Sequence, residues 1–277
     1  MIPEKGDKSV HVNVADVCKA YLEVGAQPGD MIFMHGSLSS MGTVDGGPTT
    51  VFNGMLRAAG PCGTIGMPCS WYQRSGMFEK DFDVNTSPTW VGALAEAMRN
   101  DYRRCRSNHF SHSVCAIGYR AEELTKDHGA YGPRPAPWSE TAFAECSPWK
   151  KLIDWNALYT FIGVTSDSGT LKHWIEGEIV LHYLKTVPES RRMEARRELQ
   201  YDCNQKGQWL YYSGGEVQAE LERMGVVKKT KLGSATLTAI RTRPWVTLTI
   251  GLILAEPRRW FTPEQMAWIE GLKKYQE

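Results

Sequence analysis

The chain is short of most features that assign a protein at sight. Its seven cysteines (Cys18, Cys62, Cys69, Cys105, Cys115, Cys146 and Cys203) are odd in number and include no C-x-x-C pair. That argues against a disulfide framework and a zinc ribbon, and for a reducing, cytoplasmic setting. Net charge is nearly absent: 32 Lys and Arg against 31 Asp and Glu leave +1, so bulk electrostatics attract no polyion. The one basic cluster, Arg191, Arg192, Arg196 and Arg197, alternates with Glu189, Glu194 and Glu198. It reads as a solvated helix face rather than a nucleic-acid surface. The longest apolar run, Val246 to Ala255, is too short for a bilayer and carries Thr247 and Thr249, so it reads as a buried helix or strand and no membrane partner is expected. Met1 to Lys8 has no apolar signal core. Neither G-x-x-x-x-G-K-[ST] nor G-x-G-x-x-G occurs at the glycine-rich loop described below, so no P-loop or dinucleotide fingerprint applies.

What is present is an ordinary globular composition. The 277 residues are 42% hydrophobic and 23% charged, enough for one domain over residues 1–277. Ten Trp and eleven Tyr suggest aromatic-lined surfaces as well as core. Helical, extended and loop patterns alternate from the start. Val14 to Val24 has an amphipathic helical period. Met31 to Met34 is a short apolar strand, and Pro48 opens a helix to about Ala59, since proline suits a first helical position. Thr64 to Met67 is a second strand. Strand, Gly-rich loop, helix and strand make a βαβ unit and point to an α/β fold. Ser87-Pro88 predicts a helix start running to about Asn100. Ser113 to Gly118 reads as a strand, Ala121 to His128 as a short helix, and Ser147-Pro148 as another helix start. Val226 to Arg243 reads as a hairpin turning near Gly233-Ser234, and Pro244 to Ala255 and Pro263 to Tyr275 as terminal helices.

Three segments carry chemistry. Thr170-Leu-Lys-His173-Trp-Ile-Glu176 follows a strand-like run, Tyr159 to Val164, and a polar loop, Thr165 to Gly169. Positions three apart share a helix face, so Glu176 can orient the His173 imidazole and raise its basicity. The same spacing also suits a surface His–Glu pair. The second segment is the loop His35 to Gly47, rich in glycine and serine and backed by a helix N-terminus. It suits a phosphate or pyrophosphate, and equally an ordinary strand-to-helix loop. The third is Arg106-Ser-Asn-His-Phe-Ser-His-Ser113. His109-x-x-His112 invites a metal, but no third ligand stands at recognisable spacing, so no metal is expected. Cys69 and Cys115, at strand ends, read as buried structural thiols.

Taken in order, these segments resemble the aminoglycoside 3-N-acetyltransferase family, also called the antibiotic N-acetyltransferases. The matching residues are His35-Gly-Ser-Leu-Ser-Ser-Met-Gly42 with Gly46-Gly-Pro48, Gly63-Thr-Ile-Gly-Met-Pro68, and Ser87-Pro-Thr-Trp-Val-Gly92. Arg106-Ser-Asn-His109 with His112-Ser113, the T-x-x-H-x-x-E of Thr170, His173 and Glu176, and Gly233-Ser-Ala235 complete them. The resemblance covers roughly residues 14 to 240. It implies a three-layer α/β/α fold with a central mixed sheet, acetyl-CoA as co-substrate, and a primary amine of an aminoglycoside or related amino sugar as acceptor, as in antibiotic resistance. It implies direct acyl transfer without an acyl-enzyme. By analogy His173 is the general base and Glu176 its orienting partner. His35, Ser37, Leu38, Ser39, Ser40, Gly42, Thr89, His109 and Ser113 fall on the side that holds the CoA. Thr170 and the carboxylates Asp81, Asp83, Glu178 and Asp202 are the candidates for the acceptor side. A homodimer is allowed.

The chain also departs from the family. Cys69 stands where many members have Thr, Trp90 and Val91 replace a common Arg-Met or similar pair, and residues 70 to 82 are shorter than a typical acceptor loop. The near-neutral charge contrasts with the acidity of resistance members, which suits polycationic substrates. A biosynthetic N-acyltransferase of an amino sugar or other small amine, or a non-catalytic CoA-binding homologue, are therefore the alternative readings.

Overall fold

The computed structural model describes residues 4–71, 79–137, 139–199 and 209–276. Nine strands are described: β1 (His11–Val12), β2 (Met31–Gly36), β3 (Thr43–Val44), β4 (Thr64–Pro68), β5 (Cys105–Arg106), β6 (Val114–Gly118), β7 (Leu158–Ile162), β8 (Lys228–Leu232) and β9 (Ala235–Arg241). Seven form one sheet in the order β5-β6-β4-β2-β7-β9-β8, while β1 and β3 pair separately. β2 lies parallel to β4 and β7, and the outer pairings are antiparallel. The sheet is therefore mixed, with a parallel centre.

The pleat sorts side chains to two faces. Ile32, Met34, Leu158 and Ile162 join one core cluster, and Met31, Phe33, Tyr159 and Phe161 join the other. The first face is covered by α1 (Val14–Glu23), α2 (Pro48–Ala59) and α3 (Ala93–Asn100). The second is covered by α4 (Ala121–Thr125), α5 (Pro148–Asp154), α6 (Lys172–Leu184), α7 (Arg192–Arg197), α8 (Gly214–Arg223), α9 (Thr242–Ala255), α10 (Pro257–Trp260) and α11 (Pro263–Gly271). Because central strands are buried on both faces, they read as continuous apolar runs rather than alternating ones. The three-layer α/β/α architecture and mixed sheet expected from the resemblance are the observed ones.

Local signals account for most element ends. Asn13 caps α1 in a capping box with Asp16, Pro48 stands at the first turn of α2, and Ser147 caps α5. The Ser87 helix start is a correction: α3 begins only at Ala93. Thr89 and Trp90 are held out of the helix because Thr89 Oγ1 donates to the Ser70 carbonyl at 2.7 Å and Trp90 N–H donates to it at 3.2 Å. Glu96 accepts the Thr89 N–H at 2.9 Å. Gly92, at φ +116°, then makes the turn into α3 that an L side chain resists. Among the described residues no helix is long and apolar enough to cross a membrane.

Candidate active site

β2, β4 and β7 are parallel, so their carboxyl ends share one edge of the sheet, and crevices at that edge are where open α/β sheets bind ligands. A cavity of about 1080 Å³ lies there. Its walls come from the loops that leave those strands: Gly36 to Ser39 with Gly42 and Val44 after β2, Pro68 and Ser70 at the end of β4, and Val164 with Asp167 to Thr170 after β7. Trp90 to Ala93 and the approach to β6, Ser111-His112, complete it.

His173 stands in the first turn of α6, at the cavity wall. Its Nδ1 lies within hydrogen-bonding distance of Glu176 Oε2, at 2.7 Å. The imidazole side chain is 13% exposed and the carboxylate 0%, so the ring meets the cavity and the carboxylate sits behind it. Trp209 Nε1–H donates to the same Oε2 at 3.1 Å. Phe143 and Tyr211 turn their ring edges or faces to His173 at centroid distances of 6.0 Å each. Burial drives both members of the pair away from charge. The imidazole falls well below its ordinary value, helped by the Lys172 charge. The Glu176 carboxyl rises well above its own, against the opposing pull of Lys172 and the Trp209 N–H. Two groups 2.7 Å apart titrate as one unit. With Glu176 ionised and His173 neutral, that unit is a buried negative charge, and taking up one proton neutralises it.

Two more imidazoles line the cavity, His35 and His112. His35 ends β2 and faces Tyr159, with Nε2 and the phenol oxygen 2.7 Å apart. The same phenol oxygen accepts the Leu171 N–H at 3.4 Å. It thereby ties β7 to the start of α6. Burial holds His35 down at about 3, so it is neutral. His112 accepts from or donates to Ser111 Oγ through Nδ1 at 2.8 Å. Its value is pushed well down by burial first, then by His109 and His173. The Phe143 ring lies 5.0 Å from His112.

The residues expected on the CoA side divide. His35, Ser37, Leu38, Ser39 and Gly42 line the cavity, with the Ser37 and Ser39 hydroxyls 3.2 Å apart. Ser40 is buried behind them and donates to the Ser37 carbonyl at 2.7 Å. It packs where Gly163 passes: a Cβ on Gly163, at φ +63°, would stand 2.1 Å from Ser40 Oγ. Thr89, Ser113 and His109 lie off the described lining. Thr89 shapes the Ser70 turn, and Ser113 donates to the Cys69 carbonyl at 2.6 Å. His109 stacks on His128 at 4.6 Å and accepts the His112 N–H at 3.2 Å. His109 therefore supports His112, and it is His112 that reaches the cavity.

On the acceptor side Thr170 lines the cavity. Asp81 and Asp83 are exposed and off the lining, and Asp83 Oδ1 is taken by the N–H groups of Asn85 and Thr86 at 2.8 Å each. Glu178 pairs with Arg134, which lies over the Trp174 ring at 4.3 Å. Asp202 falls outside the described residues. The carboxylate that does line the cavity is Asp167, which the sequence reading passed over. Its place in a loop directly after a parallel strand was the available signal. Trp209 had none, because 33 residues separate it from Glu176. Among the described lining residues there is one carboxylate and no lysine or arginine. Among the described residues no group of three or more His, Cys, Asp or Glu is placed to hold a metal ion.

Known proteins resemble this chain in sequence and in fold. The family model described as aminoglycoside 3-N-acetyltransferase matches residues 33–253. The aminoglycoside N(3)-acetyltransferase III of Serratia marcescens is 28% identical over 186 residues, which are 61% of this chain and 64% of that protein. The chain thus matches less than two thirds of the length of that curated relative. Two solved structures share the fold. AAC-IIIb in a binary complex with CoASH superposes with a TM-score of 0.69 at 19% identity, covering 91% of this chain and 99% of that one. AAC-VIa bound to sisomicin does so with 0.66 at 20%, covering 91% and 99%. With its family model matched from β2 into α9, the chain belongs to the aminoglycoside 3-N-acetyltransferase family.

Proposed function

We propose that the protein transfers an acetyl group from acetyl-CoA to a primary amine of an aminoglycoside or related amino sugar, with His173 as general base. The observation that carries this is the His173–Glu176 pair, 2.7 Å apart and opening on the cavity at the carboxyl ends of β2, β4 and β7. Family membership supports it, as do the CoASH and sisomicin complexes of the two structural neighbours.

An ammonium group has no lone pair, so the acceptor must lose a proton before or as it attacks the thioester carbonyl. His173 Nε2 takes that proton while Nδ1–H stays on Glu176, whose negative charge balances the imidazolium. The amine nitrogen bonds to the acetyl carbon, the carbon–sulfur bond breaks, and the nitrogen's second surplus proton passes to the leaving CoA sulfur. No acyl-enzyme enters this direct transfer. Ser37, Leu38, Ser39 and Gly42 hold the donor, and Asp167 with Thr170 holds the acceptor.

The lining favours a second reading of the acceptor. A single described carboxylate offers one strong site for an ammonium group, and a polycationic drug brings several that each lose hydration on entry. A weakly cationic amino sugar fits that count. An acceptor screen tests both readings: acetyl-CoA with apramycin, gentamicin, sisomicin and nucleotide-linked amino sugars, following release of free thiol. Turnover with none of these amines, by protein that binds CoA, would leave a non-catalytic homologue.

A further inference from the structure

We propose that Trp209 is a positioning residue of the His173–Glu176 pair, its indole N–H fixing which carboxylate oxygen meets the imidazole and weakening the pair's hold on a proton. This rests on the reading of His173 as the base.

The geometry is one-sided. Both described hydrogen bonds to the Glu176 carboxylate fall on Oε2, from His173 at 2.7 Å and from Trp209 at 3.1 Å. The other oxygen, Oε1, is buried and has no hydrogen-bond partner among the described residues. Rotation of a glutamate carboxylate about its last bond is soft and nearly two-fold. With only the imidazole as partner, either oxygen would serve. The indole N–H, a second hydrogen-bond partner on Oε2, selects one orientation. It also stabilises the ionised carboxylate, as any donor does.

Trp209 is itself held from outside the site. Gln265 Nε2–H donates to the Trp209 carbonyl at 2.7 Å and to the Tyr211 carbonyl at 3.0 Å. Gln265 Oε1 accepts the Thr262 N–H at 2.7 Å, closing the capping box of α11. The C-terminal helix therefore fixes residues 209–211, which bring both the indole to Glu176 and the Tyr211 ring to His173. A buried indole seeks any acceptor, but that alone does not explain this one. Trp149 and Trp174 bury their indole nitrogens with no partner among the described residues, so a buried indole here does not by itself require a carboxylate.

The experiment has two arms. In the first, wild-type protein labelled with ¹⁵N-tryptophan is followed by NMR, with the Trp209 indole assigned through its contacts to neighbouring rings. The indole proton should move with pH as the His173–Glu176 pair titrates, and Glu176→Gln should move it upfield and remove that titration. An indole signal indifferent to both would overturn the proposal. In the second arm, kcat/KM for acetyl-CoA with the acceptor that turns over fastest in the screen is measured against pH for Trp209→Phe. Without the donor the pair keeps its proton to higher pH, so the acid limb should rise by about one pH unit. Trp209→His, which retains a ring N–H, should return it. A uniform loss at every pH with the acid limb in place would show a packing role only, and would also overturn the proposal. If Trp209→Phe does not fold, the first arm decides. Failure of the general-base reading is separate: it would show as full activity in His173→Ala.

Discussion

Asp167 Oδ1 accepts the Gly215 N–H at 2.9 Å, across 48 residues of chain. The bond joins the loop after β7 to the first turn of α8, and it holds the cavity's described carboxylate at a helix N-terminus, where negative charge is stabilised. An acceptor ammonium group would share that carboxylate. Asp167→Asn keeps the hydrogen-bonding shape and removes the charge. The expected result is a rise of roughly tenfold or more in acceptor KM, as suits a charged hydrogen bond, with acetyl-CoA KM little changed. Steady-state kinetics with each substrate varied in turn checks it. An unchanged acceptor KM would move the ammonium site elsewhere.

Removing the base should act on the chemical step. His173→Ala is expected to lower kcat by about 10²-fold or more, the usual scale of acid–base terms. CoA affinity, read by titration calorimetry, should stay within a few-fold of wild type. Turnover near the wild-type rate would take the pair out of the mechanism.

The Ser37–Ser39 loop should show the opposite selectivity. Ser39 lines the cavity beside Ser37. Ser39→Asp places a negative charge where the donor's phosphates or pantetheine are proposed to lie. Acetyl-CoA KM should rise far more than acceptor KM. Equal effects on both would count against a donor site at this loop.

Stability should fall as the solution is acidified from neutrality. His35 and His109 are held by burial at about 3 and about 4, below the 6.5 of an open imidazole. Above pH 6.5 both folded and unfolded chains carry them neutral, and the stability is fully present. Between about 6.5 and 4 the unfolded chain binds protons that the folded chain refuses. The loss is roughly 2.7 kcal/mol per pH unit for the two together. Carboxylates held low, such as Glu96 at about 2 beside Arg99, add their own loss only below the ordinary glutamate range. Denaturant melts at pH 7, 6 and 5 should show this decline, and His109→Asn should make it shallower by the share of one imidazole. A flat profile over that range would mean that these imidazoles protonate without cost.

The sequence by itself determined β2, β4, β6, β7, β8 and β9, though not the two-residue strands β1, β3 and β5, together with most of the helices and the pair. Apolar runs bounded by glycine and proline set β2, β4 and β7, because central strands need both faces buried. Capping residues set the starts of α1 and α5 through bonds to backbone groups a few positions away. His173 and Glu176 were legible for the same reason: their contact spans three residues, and helical periodicity alone creates it. The tertiary structure decided what long-range packing controls. It delayed α3 to Ala93, because Ser70 draws Thr89 and Trp90 into a separate turn. It turned His112 rather than His109 to the cavity, because His109 stacks on His128 and spends Nδ1 on the His112 backbone. It withdrew Glu178 to Arg134 and brought Asp167 to the cavity wall. It also carried Trp209 to Glu176 from 33 residues away. Local spacing holds no record of contacts that exist only once the sheet edge and the helices behind it have come together.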